Sequence, residues 1–317
     1  MANLYSGLVK GCRYVPPNPS MPRPRGGSLA DVTKEQPADS VVGCPVGRSA
    51  DFGNETVTSH HFGEEGAKLT YGSYLRLEQL LSAQVLESDP PAHDELLFIT
   101  IHQVYELWFK QLLHEVDAAT EAMFAGRLWW ARHLLKRVAV IEDVLIRQIA
   151  VLETMTPQDF LVFRELLSPA SGFQSAQFRE LEFASGAKDP TYLKRFRGLT
   201  EDEQQRLARR LEEPSLWDGF VYAVSESGLP AGTEEELRES LVAVAHDRDK
   251  YGDLWELAEV LLDHDEAAAL WRARHVTMVE RQIGTKSGTG GSTGAPYLRS
   301  RLGLHYFPLL WEIRSSL

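Results

Sequence analysis

Between Asp94 and Met123 the residues Phe98, His102, Tyr105, Phe109 and Leu112 recur at intervals of four, three, four and three. That period is one face of an α-helix, and Pro90 and Pro91, followed by Asp94 as an N-cap, mark where the helix begins. A second stripe, Leu134, Val138, Ile141, Leu145, Ile149 and Leu152, runs through Trp129 to Met155, a length of about seven helical turns. Ahead of both, LTYGSYLRLEQLLSAQ from Leu69 sets Tyr71, Tyr74, Leu75 and either Leu77 or Leu80 on a third. Long consecutive helices with apolar faces pack as a bundle. No run of alternating strand residues competes with them and no internal repeat is visible, so the expected fold class is all-α.

A chain of 317 residues with 43% hydrophobic content can fill one large core or two ordinary ones. Its first 66 residues differ from the rest, holding seven of the sixteen prolines and nine glycines with few large apolar groups. We expect 1–66 to be a flexible, mostly disordered arm and 67–317 to be the helical domain. His60 and His61, adjacent in the arm, read as solvated rather than metal-binding. Residues 185–265 read as a helical insertion, with capped starts at Thr200 with Glu203 and Thr233 with Glu236. The net charge of −12 argues against a nucleic-acid or anionic-membrane partner and leaves small molecules. Both cysteines, Cys12 and Cys44, lie in the arm, so no disulfide can staple the body. With no signal-peptide pattern and no apolar run of roughly 18 residues, the expected compartment is the cytoplasm.

The stretch WRARHVTMVERQIGTKSGTGGSTG, Trp271 to Gly294, carries the strongest hint of function. His275 has Trp271 four residues before it and Met278 and Val279 three and four after it, which puts its imidazole on an apolar face. Gly284 ends the helix, and Gly288, Gly290, Gly291 and Gly294 allow close approach or positive φ in the loop beyond. A core histidine beside a flexible linker is the plain reading; a bound cofactor is the functional one. The glycine order misses the dinucleotide fingerprint by one residue, no strand precedes it and no Gly-Lys-Ser/Thr follows, which argues against nucleotide binding. His102 is a second imidazole on an apolar stripe.

Thr156-Pro157-Gln158-Asp159 opens a short helix that carries Phe160, Phe163 and Arg164. Phe160 and Leu167 flank Arg164 at helical spacing, so its guanidinium either snorkels outward or is held inside against a carboxylate; the pattern by itself favours the surface. Ser171 and Gln174 form a further capping pair, and Asp263-His264-Asp265 reads as a break and a solvated turn. His114-Glu115 lacks the second histidine of a zincin, and no G-x-S-x-G elbow exists. Two imidazoles on apolar helical faces, an arginine near aromatics and a glycine loop are compatible with haem held in an α-bundle by one axial histidine.

The segments LTYGSYLRLEQLL, DELLFITIHQVYELWFKQLLHE, FRELLSPASGFQSAQFRELE and WRARHVTMVERQIGTKSGTGGSTGAPYLR, in this order, resemble the tryptophan 2,3-dioxygenase family from about residue 68 to the C-terminus. The resemblance implies a haem b protein, a homotetramer built as a dimer of dimers. It also implies insertion of both atoms of O₂ across the indole C2–C3 bond of L-tryptophan to give N-formylkynurenine, the first step of the kynurenine pathway. It makes His275 the proximal ligand of the haem iron and His102 the distal histidine near the indole N–H. Arg164 would pair with the substrate carboxylate, and Thr289 would serve the ammonium and haem propionate region. Phe98, Phe160, Ser171 and Gly172 would line the pocket, and Tyr71, Tyr74 and Leu75 would come from a neighbouring subunit. The arm is longer than the shortest bacterial members need, and Phe160 stands where some members have tyrosine. The alternative outcome is haem-dependent monooxygenation of tryptophan or a substituted tryptophan, as in relatives of secondary metabolism. The competing class is a non-enzymatic helical scaffold.

Overall fold

In a computed structural model that describes residues 69–195 and 198–317, the stretch after Leu69 forms two short helices, α1 (Tyr71–Leu75) and α2 (Leu77–Leu81), where one was expected. Thr70 and Ser73 close α1 with a reciprocal capping box, and Arg76, at φ 53°, separates the two. Left-handed backbone cannot continue a right-handed helix. No residue of either is buried. The expectations for the arm, His60 and His61 included, lie outside the described residues.

Helix α3 (His93–Phe124) begins one residue before Asp94, with Ala92 as N-cap. Asp94 and Glu95 occupy its first turn, where acids favour the helix dipole. Glu95 is buried and reaches back to the chain entering the helix, accepting from the Glu87 and Ser88 N–H groups at 2.8 and 3.1 Å and from the Ser88 hydroxyl. Gly126, at φ 68°, lies in the turn into α4 (Leu128–Leu152). Then come α5 (Pro157–Phe163), capped by Thr156 and Asp159 as expected, and 3₁₀ turns at Arg164–Leu167 and Gly172–Gln174. Four helices follow: α6 (Ala176–Ser185), α7 (Thr191–Arg195), α8 (Glu201–Glu212) and α9 (Leu216–Glu226). The chain ends with α10 (Glu234–His246), α11 (Arg248–Ile283), α12 (Ala295–Arg299) and α13 (Pro308–Glu312). Thr200 with Glu203 and Thr233 with Glu236 form the expected reciprocal caps. The protein is all-α; no strand occurs among the described residues.

Helix α4 packs between α3 and α11, while α6 and α9 cover α3. Leu112, Val116, Leu135, Val138, Leu257 and Leu261 are wholly buried in the shared core; truncating any such leucine to alanine costs about 2–5 kcal/mol. No described helix is long and apolar enough to cross a membrane.

The expected break at Asp263-His264-Asp265 does not exist. These residues lie inside α11, and His264 and Asp265 have no exposed surface. His264 Nδ1 is 2.8 Å from Glu142 Oε1, and its Nε2 is 2.8 Å from the Ser185 hydroxyl. Asp265 Oδ2 accepts from the N–H groups of Tyr306 and Phe307 and from Trp311 Nε1 at 2.9, 3.0 and 3.0 Å, tying the C-terminal segment to α11. Serine, histidine and acid stand in the order of a hydrolase triad, but Ser185 is completely buried, so no substrate reaches its hydroxyl. The cluster is structural, and leaving His264 without one partner costs about 1–3 kcal/mol. Partners this far along the chain carry no local signal, and a run of charged residues then reads as a solvated turn.

Candidate active site

One turn of α3 sets Phe98 below His102. The His102 Nδ1 lies 2.6 Å from the Phe98 carbonyl. A carbonyl only accepts, so Nδ1 carries the proton, and in the neutral ring Nε2 keeps its lone pair. Burial holds the His102 pKa below the usual histidine value, against the backbone hydrogen bond and Glu106, which favour the cation. The surface that His102 does expose opens on cavities described below, so the ring is not packed into the core as its stripe position implies.

Helix α5 adds an aromatic wall. Phe160 stacks on Phe98 at 5.5 Å between centroids, and Phe163 meets both edge-on at 5.7 and 5.5 Å, arrangements favoured by the ring quadrupoles. Arg164 follows immediately. It is 8% exposed, which corrects the surface placement that its helical pattern favours. Its Nη1 donates to Glu165 Oε1 at 2.9 Å and its Nη2 to the Ser287 carbonyl. The acceptor that holds it inside is 123 residues away, beyond the reach of any helical pattern.

The glycine loop after α11 closes on the 168–172 turn. Thr289 Oγ1 donates to the Ala170 carbonyl at 2.6 Å, and Ser168 Oγ to the Thr289 carbonyl at 3.4 Å. A Cβ on Gly290 would stand 2.5 Å from the Ser171 Cβ, and one on Gly294, at φ 71°, would stand 2.5 Å from the Lys286 carbonyl. Close approach is therefore real, and its objects are Ser171 and the loop itself. Ser171 also caps the Gly172–Gln174 turn, reciprocally with Gln174.

On α11, His275 stacks on Trp271 with centroids 5.0 Å apart and planes 14° from parallel. Trp271 is wedged in turn against Phe178 and Tyr105 at 5.2 and 6.1 Å. Neither ring nitrogen of His275 has a hydrogen-bond partner among the described residues. Burial, with a smaller contribution from His102, brings its pKa down to about 4. The imidazole is neutral at physiological pH and carries a lone pair in an apolar setting.

These side chains converge. A cavity of about 280 Å³ is bordered by His275, His102, Arg164, Phe98, Phe160 and Thr289, and by Ser171 and Gly172. A wider one of about 690 Å³ adjoins it and shares Phe98, His102, Phe160, Ser171, Gly172 and Thr289. Tyr71, Tyr74 and Leu75 border neither and are exposed, Tyr71 by 77% and Tyr74 by 72%. Sequence reasoning missed Arg179, Tyr192, Gln282 and Arg301, which also face the inner cavity. Of these only Arg179 carried a local signal, its i, i+3 pairing with Glu182 beside Phe178.

Together these features define an all-helical protein with a cavity, bordered by two neutral imidazoles and a buried arginine, between α3, α5, α11 and the glycine loop. The sequence matches the family model described as tryptophan 2,3-dioxygenase over residues 54–230 and 233–317. It is 68% identical over 260 residues to a tryptophan 2,3-dioxygenase of a Nocardioides species, covering 81% of this chain and 97% of that one. Identity is 46% over 259 residues to the enzyme of that name from Herpetosiphon aurantiacus, with 78% and 98% covered. For Myxococcus xanthus the figures are 43% over 263 residues, 79% and 90%. The chain belongs to the tryptophan 2,3-dioxygenase family.

Proposed function

We propose that the protein is a tryptophan 2,3-dioxygenase that converts L-tryptophan and O₂ to N-formylkynurenine, with a b-type haem carried by His275. The observation that carries the haem assignment is the imidazole itself. His275 is neutral, lacks a hydrogen-bond partner among the described residues and is braced by Trp271 at the edge of a mostly apolar cavity. That is the donor chemistry a haem iron takes from a proximal histidine.

When bound, ferrous haem supplies the activation of O₂, and the protein supplies position and electrostatics. Arg164 binds the amino-acid carboxylate: two of its five N–H donors are used by Glu165 and Ser287, and the planar fork suits a bidentate pair. Phe98 and Phe160 flank the indole, with Ser171 and Gly172 completing the wall. His102 accepts the indole N–H through Nε2, the tautomer that the Phe98 carbonyl selects. Thr289 serves the ammonium end. Phe160 has no hydroxyl to offer the carboxylate, which concentrates that contact on Arg164. Fixing both ends of the amino acid converts binding into orientation.

The purified protein is expected to show a haem Soret band and to form a product two oxygen atoms heavier than tryptophan. A product one oxygen heavier identifies the monooxygenase, which the names of the relatives do not support. Absence of haem with no turnover returns the scaffold reading.

The same proposal includes a cytoplasmic homotetramer in which Tyr71, Tyr74 and Leu75 enter a neighbour's site, since an exposed aromatic stripe calls for a covering surface. Deleting residues 1–60 is expected to leave assembly and turnover largely intact, and deletion through Leu80 to damage both. A fully active monomer in sedimentation overturns the shared site.

A further inference from the structure

The inner cavity carries charge for which a tryptophan zwitterion has no use. Its charged lining is Arg164, Arg179, Arg272 and Arg301 against Glu106 and Glu182, an excess of two positive charges in a chain of net charge −12. An amino acid with one carboxylate and one ammonium leaves that excess standing. A ligand bearing two carboxylates cancels it, and in a low-dielectric cavity such matching matters more than on the surface.

The four cations are not equivalent. Glu182 accepts from Arg179 Nη1 and, at 3.4 Å, from Arg272 Nη2, and Arg272 Nη1 also donates to the Leu304 carbonyl at 3.0 Å. Arg164 is committed to the tryptophan carboxylate in the reading above. Arg301, half-buried in the cavity wall just beyond α12, forms no salt bridge or side-chain hydrogen bond among the described residues, and Asp189 acts on it only through space. Its guanidinium lies 5.6 Å from the centre of the Tyr192 ring, and the Arg179 guanidinium lies 3.7 Å from the same ring. Tyr192, whose pKa burial pushes up to about 12, keeps its proton and stays an uncharged platform for both. Glu182 already meets the Arg179 charge, so of the two cations on this ring Arg301 is the one that an added anion would satisfy.

We propose that Arg301, sharing the Tyr192 ring with Arg179, is an anion-recognition residue that binds one carboxylate of the tetrapyrrole in the inner cavity. The inference rests on the haem reading and deepens it. His275 holds the metal, and Arg301 fixes which way round the ring sits by taking hold of its edge through charged, bidentate hydrogen bonds.

The test titrates haem-free, full-length protein with haemin and with haemin dimethyl ester, which keeps the iron and the ring and lacks both charges. Soret absorbance reports binding, so no turnover is needed. The parent is expected to prefer haemin to the ester, and Arg301→Gln to lose roughly tenfold to a hundredfold in haemin affinity with ester affinity unchanged. Arg301→Lys is expected to recover part of the loss. Equal losses for both ligands show that Arg301 only supports the fold, and no loss for either removes it from the site; each overturns the proposal with the haem reading intact. A parent that takes up neither ligand overturns the haem reading, and this proposal with it.

Discussion

His275→Ala is expected to purify with little or no haem and without the normal ferrous Soret band. The imidazole is held neutral by burial, braced flat against Trp271 and without a hydrogen bond to any described residue; in the haem reading its replacement removes the iron's ligand, while Trp271 keeps its contacts with Phe178 and Tyr105. His102→Ala is the matched control. His102 faces the same cavity and has its Nδ1 engaged by the Phe98 carbonyl; it is expected to keep stoichiometric haem and to lose activity by a smaller factor. Haem loss in the His102 variant, with an unchanged spectrum in the His275 variant, exchanges the two roles. Absorption spectra of the two purified variants decide the matter.

Arg164→Met is expected to weaken tryptophan binding and turnover by on the order of a hundredfold or more, with normal haem content. Charged hydrogen bonds are worth roughly 1.5–3 kcal/mol each, and two of them to one carboxylate account for a loss of that size. Arg164→Lys is expected to recover little, because an ammonium cannot reproduce the planar fork. Arg164 also tethers Ser287 at the start of the glycine loop, so a structural contribution has to be separated from substrate recognition. Kinetics with an indole analogue that lacks the carboxylate make the separation. Such an analogue is expected to be a poor substrate for the parent and nearly indifferent to the substitution. Equal losses for it and for tryptophan assign Arg164 to structure alone.

What the sequence makes legible follows the reach of each interaction. The stripes through Phe98 and Leu112 and through Leu134 and Leu152 are local patterns, and they form α3 and α4. The caps at Thr156, Thr200 and Thr233 are local too, each closed by the side chain three residues on. His102 and His275 stand out because their neighbours a turn away are large and apolar. Arg164 is misread by pattern because Ser287 holds it from a distant loop, and the family resemblance corrects the reading. Asp265 is misread for the same reason, its partners lying 41 to 46 residues downstream. The group of Arg179, Tyr192 and Arg301 comes from α6, α7 and the chain beyond α12, and no single segment announces it.

The contact between Gly290 and Ser171 has a consequence for how this sequence can change over generations. Gly290 has no positive φ to preserve; its lack of a side chain matters only because Ser171 presses against it. Its freedom to vary is thus set by a residue on another loop. Any side chain at position 290 is barred while Ser171 stays, and an alanine there becomes tolerable in a lineage that has first acquired glycine at 171.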